Sequence, residues 1–115
     1  MYELRKEDRL CKNREYQLVY RYGKSYVTKS VVLYVMRRSS NQSVRTGFVP
    51  GIGCAVERNY CRRLMKEVYR LHKAELSDGY DLVLIGRSRL KNGRYADAER
   101  AILNLFEQAG ILRKK

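Results

Sequence analysis

The chain has 115 residues, a mass of 13.6 kDa and 25 Lys+Arg against 12 Asp+Glu, giving a formal net charge of +13 at neutral pH. That length holds one domain, 1–115, and leaves no room for a catalytic domain beside a separate binding domain. With 44% hydrophobic residues the chain can fold, so the charge is not that of a disordered basic tail and instead predicts a polyanionic partner, nucleic acid ahead of membrane.

Several other classes fall away. The apolar run Leu82–Ile85, like every other in the chain, is far below the roughly 20 residues of a spanning helix, so no membrane partner is expected. Glu3, Arg5, Lys6, Glu7, Asp8 and Arg9 leave no apolar signal segment, and a cytoplasmic location is expected. Cysteines 11, 54 and 61 are odd in number and lack a C-x-x-C spacing, which suits a reducing compartment. His72 is the only histidine, so neither a zinc site nor a paired-histidine acid/base is expected. The acidic residues are scattered, with no cluster to hold the two metals of a protein nuclease, and no phosphate-binding glycine loop is present. No catalytic residue, protein-bound cofactor or metal ligand is therefore expected. Any reaction would need chemistry supplied by another component. Arg outnumbers Lys 16 to 9, and 10 of the 12 aromatic residues are Tyr; planar guanidinium groups and flat, polar-tipped rings suit RNA.

In chain order, Asn13 as N-cap and Gly23 after the C-terminus frame a helix over Arg14–Tyr22. Tyr16, Val19 and Tyr20 share one face of it, a spacing more typical of core than of a binding surface. Tyr26–Arg37 is rich in β-branched and aromatic residues and reads as one strand. Its odd positions Val31, Leu33 and Val35 are apolar and form a core face. Its even positions Tyr26, Thr28, Ser30, Val32 and Tyr34 form a mixed face that could be a binding floor. Ser39–Ser43 is a turn, after which Val44–Val49 can return as an antiparallel strand.

Pro50-Gly51-Ile52-Gly53 then delivers the chain into a helix over roughly Cys54–Ala74. At 100° per residue, Arg58, Asn59, Arg62, Arg63, Lys66, Arg70 and Lys73 fall within an arc of about 140°, while Cys61, Leu64, Met65, Val68, Leu71 and His72 fall opposite. Glu67 lies outside the basic arc. Residues 58, 62, 66 and 70 form an i,i+4 ladder of cations, a spacing at which like charges repel by a few tenths of a kcal/mol each. An ordinary solvated face mixes signs; this one is arranged for contact with a polyanion. Tyr80–Gly86, bounded by glycines, reads as a buried central strand. Arg87–Arg94 is a basic loop, and Tyr95–Ala109 is a closing helix with Ala98, Ile102, Leu105, Phe106 and Ala109 on one face and Gly110 after its end. The order α-β-β-α-β-α predicts an α/β (α+β) fold, a small two-layer sandwich.

Arg58-Asn59-Tyr60-Cys61-Arg62-Arg63-Leu64, following Gly53-Cys54-Ala55-Val56-Glu57, resembles the signature of the bacterial ribonuclease P protein component, G-x-A-V-x-R-N-R-x-K/R-R-L-x-R/K-E. The likeness extends to Leu4–Tyr20, Gly23-Lys24-Ser25, Val32-Leu33-Tyr34 and Gly79-Tyr80-Asp81-Leu82-Val83. The resemblance implies a sheet of about four strands packed with three helices, like the second domain of ribosomal protein S5. It implies a ribonucleoprotein that removes the 5′ leader of precursor tRNA, with magnesium held by the RNA subunit and no protein partner required. Carried over by position, Arg58, Asn59, Arg62, Arg63 and Lys66 would face the catalytic RNA, and the wheel extends that face to Arg70 and Lys73. Tyr16, Tyr20, Val32 and Tyr34 would line a cleft for the leader, with Arg9, Lys12 and Arg14 neutralising its phosphates. Two departures stand out: Tyr60 replaces the third residue of R-N-R, and Pro50-Gly51-Ile52-Gly53 lacks the family's Ser-Lys-Lys-like segment. The rival readings are a structural or regulatory, ribosomal-type RNA-binding protein and a stand-alone protein nuclease.

Overall fold

The computed structural model describes residues 10, 13–37, 44–50, 55–77, 79–87 and 94–112. Arg9, Lys12, the Ser39–Ser43 turn, Gly51–Cys54 and most of the Arg87–Arg94 loop lie outside these residues. The elements run α1 (Asn13–Tyr22), β1 (Lys24–Val27), β2 (Val31–Arg37), β3 (Arg45–Val49), α2 (Ala55–His72), a 3-10 turn (Lys73–Glu75), β4 (Tyr80–Gly86) and α3 (Tyr95–Ala109). The strands form one mixed sheet in the order β1-β2-β4-β3.

Alternation along the strands divides the apolar side chains between the two faces of this sheet. Val31 and Leu33 of β2, Phe48 of β3 and Leu82 and Leu84 of β4 meet Leu64, Met65, Val68 and Tyr69 of α2 and Ile102, Leu105 and Phe106 of α3 in the main core. The sheet with α2 and α3 is the expected two-layer sandwich. On the other face Val83 packs with Val19 of α1 and with Leu10, flanked by Tyr16, Tyr20, Tyr34, Met36, Val49 and Ile85. The apolar run of β4 is thus explained: the strand is central and covered on both sides.

Two expectations are corrected. Tyr26–Arg37 is a hairpin rather than one strand, because the chain turns at Thr28-Lys29-Ser30. The Thr28 backbone N–H and hydroxyl both donate to the Val31 carbonyl, and the Val31 N–H donates back to Thr28 Oγ1. The turn resets the alternation, so Tyr26, opposite Leu33 in the register, lies on the main-core face and leaves the face of Val32 and Tyr34. The segment after the Ser39–Ser43 turn also does not pair with β2. β3 pairs in parallel with β4, which inserts between them and pairs antiparallel with β2. The β3-α2-β4 segment is therefore a parallel crossover through the basic helix.

Gly23 ends α1 and donates its N–H to the Val19 carbonyl at 2.8 Å. A Cβ there would lie 2.5 Å from that carbonyl oxygen and 2.8 Å from the Val35 oxygen. A glycine is thus required for α1 to close down onto β2. At the far end α3 stops at Gly110, whose φ of 69° is left-handed.

The end of α2 is held by His72, which fell on the apolar arc of the wheel but bridges two carboxylates. Its Nδ1 is 2.5 Å from Glu75 and its Nε2 is 2.8 Å from Glu99 of α3. Partial burial works against the charged ring, yet the hydrogen bonds to Glu99 and Glu75 prevail and raise its pKa above the ordinary 6.5. The hydrogen bond from His72 likewise holds Glu99 below the usual carboxylate range. The His72 contribution is therefore complete below about pH 6.5 and is lost as pH rises through the higher folded-state value. Thermal melts over a pH series should show this decline on the alkaline side of 6.5 in the wild type and not in His72→Gln.

Candidate nucleic-acid interfaces

On the second face of the sheet α1 packs onto Val83 beside partly buried apolar side chains of β2, β3 and β4, the surface expected as a cleft. Tyr16 and Tyr20 stand one turn apart on α1, and the Tyr20 ring meets Tyr34 of β2 edge-on, with centroids 5.1 Å apart and planes at 79°. Burial first, then the neighbouring phenols of Tyr16 and Tyr34, push the Tyr20 pKa up. Its hydroxyl is therefore a neutral donor at physiological pH and brings no negative charge against a phosphate. Val32 and Tyr34 are half-buried on this face, with Val49, Ile85 and Met36 beside them. Arg14 is exposed on α1.

Tyr16 has a structural task as well. Its hydroxyl donates to the Leu10 carbonyl at 3.2 Å, and its ring lies where a Cβ on Gly47 of β3 would be, 2.6 Å from Cζ. The absence of a side chain at Gly47 lets the ring sit flat against the strand. A glycine inside a strand-like run is the sequence signal for such close approach.

α1 is fastened to the sheet by an ion network that no local sequence pattern reveals. Arg45 of β3 donates from Nε and NH2 to the two Asp81 oxygens at 3.1 and 2.9 Å, and from NH1 to Glu15 of α1 at 2.5 Å. Asp81 is only 2% exposed. The hydrogen bond with Asp81, opposed by partial burial, raises the Arg45 pKa and fixes its charge. Residues 45 and 81 are register partners across β3 and β4. Sequence alone could not pair them, because that requires the parallel register.

α2 presents the second surface from the opposite face of the sheet. Arg58, Asn59 and Arg63 are exposed, and Arg62, Lys66, Arg70 and Lys73 are partly exposed. Asn59 Oδ1 accepts from Arg62 at 3.3 Å, which holds the two side chains together. Two details modify the wheel. Tyr69 projects at an angle inside the cationic arc yet is fully buried against Phe48, with centroids 5.5 Å apart, so the exposed cations are those centred on Asn59 and Arg63. Glu67 turns back to Arg70, whose Nε and NH2 lie 3.3 and 2.5 Å from its oxygens, so Arg70 is locally neutralised. That hydrogen bond lowers the Glu67 pKa and raises that of Arg70. Tyr60, the departure from R-N-R, lines a shallow apolar groove with Arg63, Leu64, Glu67 and Tyr95 of α3.

The cleft and the basic helix are joined through the chain. Val49, the last residue of β3, is on the cleft floor, and α2 starts at Ala55. Among the described residues no helix is long and apolar enough to cross a membrane.

Comparison with known proteins places this arrangement. The Ribonuclease P family profile matches residues 4–110. A ribonuclease P protein component of Natranaerobius thermophilus is 40% identical over 107 residues, covering 91% of this chain and 92% of that protein. One from Clostridium botulinum (strain 657 / Type Ba4) is 42% identical over 108 residues, covering 92% and 97%. Among solved structures, the RNase P protein of Staphylococcus aureus superposes with a TM-score of 0.83 at 23% identity, over 92% of this chain and 98% of that one. The RNase P protein from Thermotoga maritima gives 0.77 at 26% identity, over 87% and 96%. Three helices on a four-stranded mixed sheet, the basic second helix and the match along nearly the whole chain agree: this chain belongs to the ribonuclease P protein family.

Proposed function

We propose that this protein is the non-catalytic subunit of ribonuclease P, binding the catalytic RNA through α2 and the 5′ leader of precursor tRNA in the α1 cleft. The reading rests above all on one observation: a cation-rich helix and an aromatic surface beside α1 lie on opposite faces of one sheet. Different surfaces suit different RNA segments. Exposed guanidinium and ammonium groups meet the phosphates of a folded RNA and displace its counterions. Tyrosine faces accept unpaired bases with little sequence preference, since every base has a π-face. The RNA subunit would hold the magnesium ions and carry the hydrolysis, in the cytoplasm, and the protein would hold the leader while Arg9, Lys12 and Arg14 neutralise its phosphates.

Reconstitution with a bacterial ribonuclease P RNA tests this reading. At low magnesium the RNA alone should cleave precursor tRNA poorly, and adding the protein should restore cleavage. Failure to restore it, with equal binding of precursor and mature tRNA, would instead favour a ribosomal-type binder. Cleavage by protein free of RNA would favour a stand-alone nuclease.

A further inference from the structure

The sheet carries a second group of aromatic and basic side chains, on the face away from the leader cleft. A cavity of about 280 Å³ opens at the β1 edge beside the end of α3, lined by Tyr22, Lys24, Tyr26, Arg37 and Tyr80, with Val35 and Ala109 closing its base. The register explains the grouping: Lys24 lies opposite Val35, Tyr26 opposite Leu33, and Arg37 opposite Tyr80, so these residues share one face across three strands. None of the lining residues is acidic. Tyr22 is 66% exposed, an unusual position for a large ring, and the Arg21 guanidinium stacks over it 5.6 Å from the centroid. One ring face is thus held by a cation while the ring stays open to a ligand.

From this we infer that the pocket is a second single-stranded RNA site, taking the distal part of the leader after it leaves the α1 cleft. The inference rests on the proposed leader-binding role of that cleft. Tyr rings offer stacking surfaces, and Lys24 and Arg37 supply phosphate contacts with no carboxylate in the lining to oppose them. Continuity selects the leader as occupant. Tyr20 belongs to the cleft and Tyr22 to the pocket, two residues apart in the last turn of α1, and Gly23 then turns the chain into β1, the sheet edge. A strand leaving the cleft at Tyr20 would pass over that edge and meet Tyr22.

The test compares precursor tRNAs with a short leader, ending within the cleft, and a long one, using holoenzyme reconstituted with Tyr22→Ala, Arg37→Gln or both. Tyr22 and Arg37 are exposed, so the variants should fold, which thermal melts verify. The double variant should bind the long-leader precursor about tenfold more weakly and the short-leader precursor as tightly as wild type. Arg37→Lys should retain most of the affinity, as a phosphate contact would. No loss on the long leader, or equal loss on both leaders, would overturn the inference. Weakened assembly with the catalytic RNA would also overturn it, by assigning the pocket to that RNA. Tyr20→Ala separates the two levels: it should weaken both precursors. If it does so while the Tyr22 and Arg37 variants have no effect, the second site is refuted and the cleft reading stands; if it weakens neither, the cleft reading itself fails.

Discussion

Asp81→Ala should destabilise the free protein by about 3 kcal/mol, the lower end of the range for breaking a buried ion pair. Asp81 is 2% exposed and accepts both forks of Arg45, so its removal strands a guanidinium at the sheet. The figure sits at the lower end because the Arg45 side chain is 25% exposed and retains Glu15. Asp81→Asn keeps the shape and one acceptor, and should cost less. The consequence for binding is more informative than the loss of stability. Glu15 is the α1 end of this network, so a loosened Arg45 frees the wall that carries Tyr16 and Tyr20. Denaturant melts should report the destabilisation. Binding assays at a temperature where the variant remains folded should show weaker discrimination of precursor from mature tRNA, with affinity for the RNA subunit largely retained.

Reversing two charges on α2, Arg62→Glu with Lys66→Glu, should weaken binding to the RNA subunit by roughly tenfold to a hundredfold at physiological salt. Each lost phosphate contact removes about 0.7–0.9 from the log–log salt slope, so the slope should become shallower by about 1.4–1.8. For the wild type, with Arg70 already tied to Glu67, a slope of about −3.5 to −4.5 is expected from the remaining five cations. Folding should not suffer. The new carboxylates would stand four residues from Arg58 and Arg70 and turn two of the ladder's three like-charge repulsions into attractions, leaving only the repulsion between positions 62 and 66. A thermal melt at or above the wild-type midpoint, alongside lost RNA affinity, separates a binding role from a structural one.

Much of this was legible in the sequence because local patterns coincided with the final packing. α1, α2, β4 and α3 fall where N-caps, glycines and apolar periodicity placed them, and Val31 and Leu33 reach the core as their alternation required. The hairpin was not legible because Tyr26–Arg37 is uniformly rich in strand formers, and its turn depends on a threonine hydroxyl rather than on glycine or proline. The position of β3 was not legible because pairing with β4 spans the whole of α2, and nothing local encodes it. The same gap hid the Arg45–Asp81 pair. Within the candidate site, the exposed cations of α2 follow the 3.6-residue period, whereas the burial of Tyr69 depends on Phe48 across the core. The cleft required two elements whose faces meet in space, which periodicity along either one cannot show.

The central claim is that the two surfaces have separate RNA tasks, and one crossed measurement tests it. Holoenzymes carrying Tyr20→Ala or the Arg62→Glu, Lys66→Glu pair would be assayed for two quantities: affinity of the protein for the RNA subunit, and the ratio of affinities for precursor and mature tRNA under saturating protein. Tyr20→Ala should lower the ratio at least about fivefold and leave assembly unchanged. The α2 pair should weaken assembly and, once saturated, leave the ratio unchanged. If either variant altered both quantities to the same degree, or if Tyr20→Ala left the ratio at the wild-type value, the division of labour between cleft and helix would be contradicted.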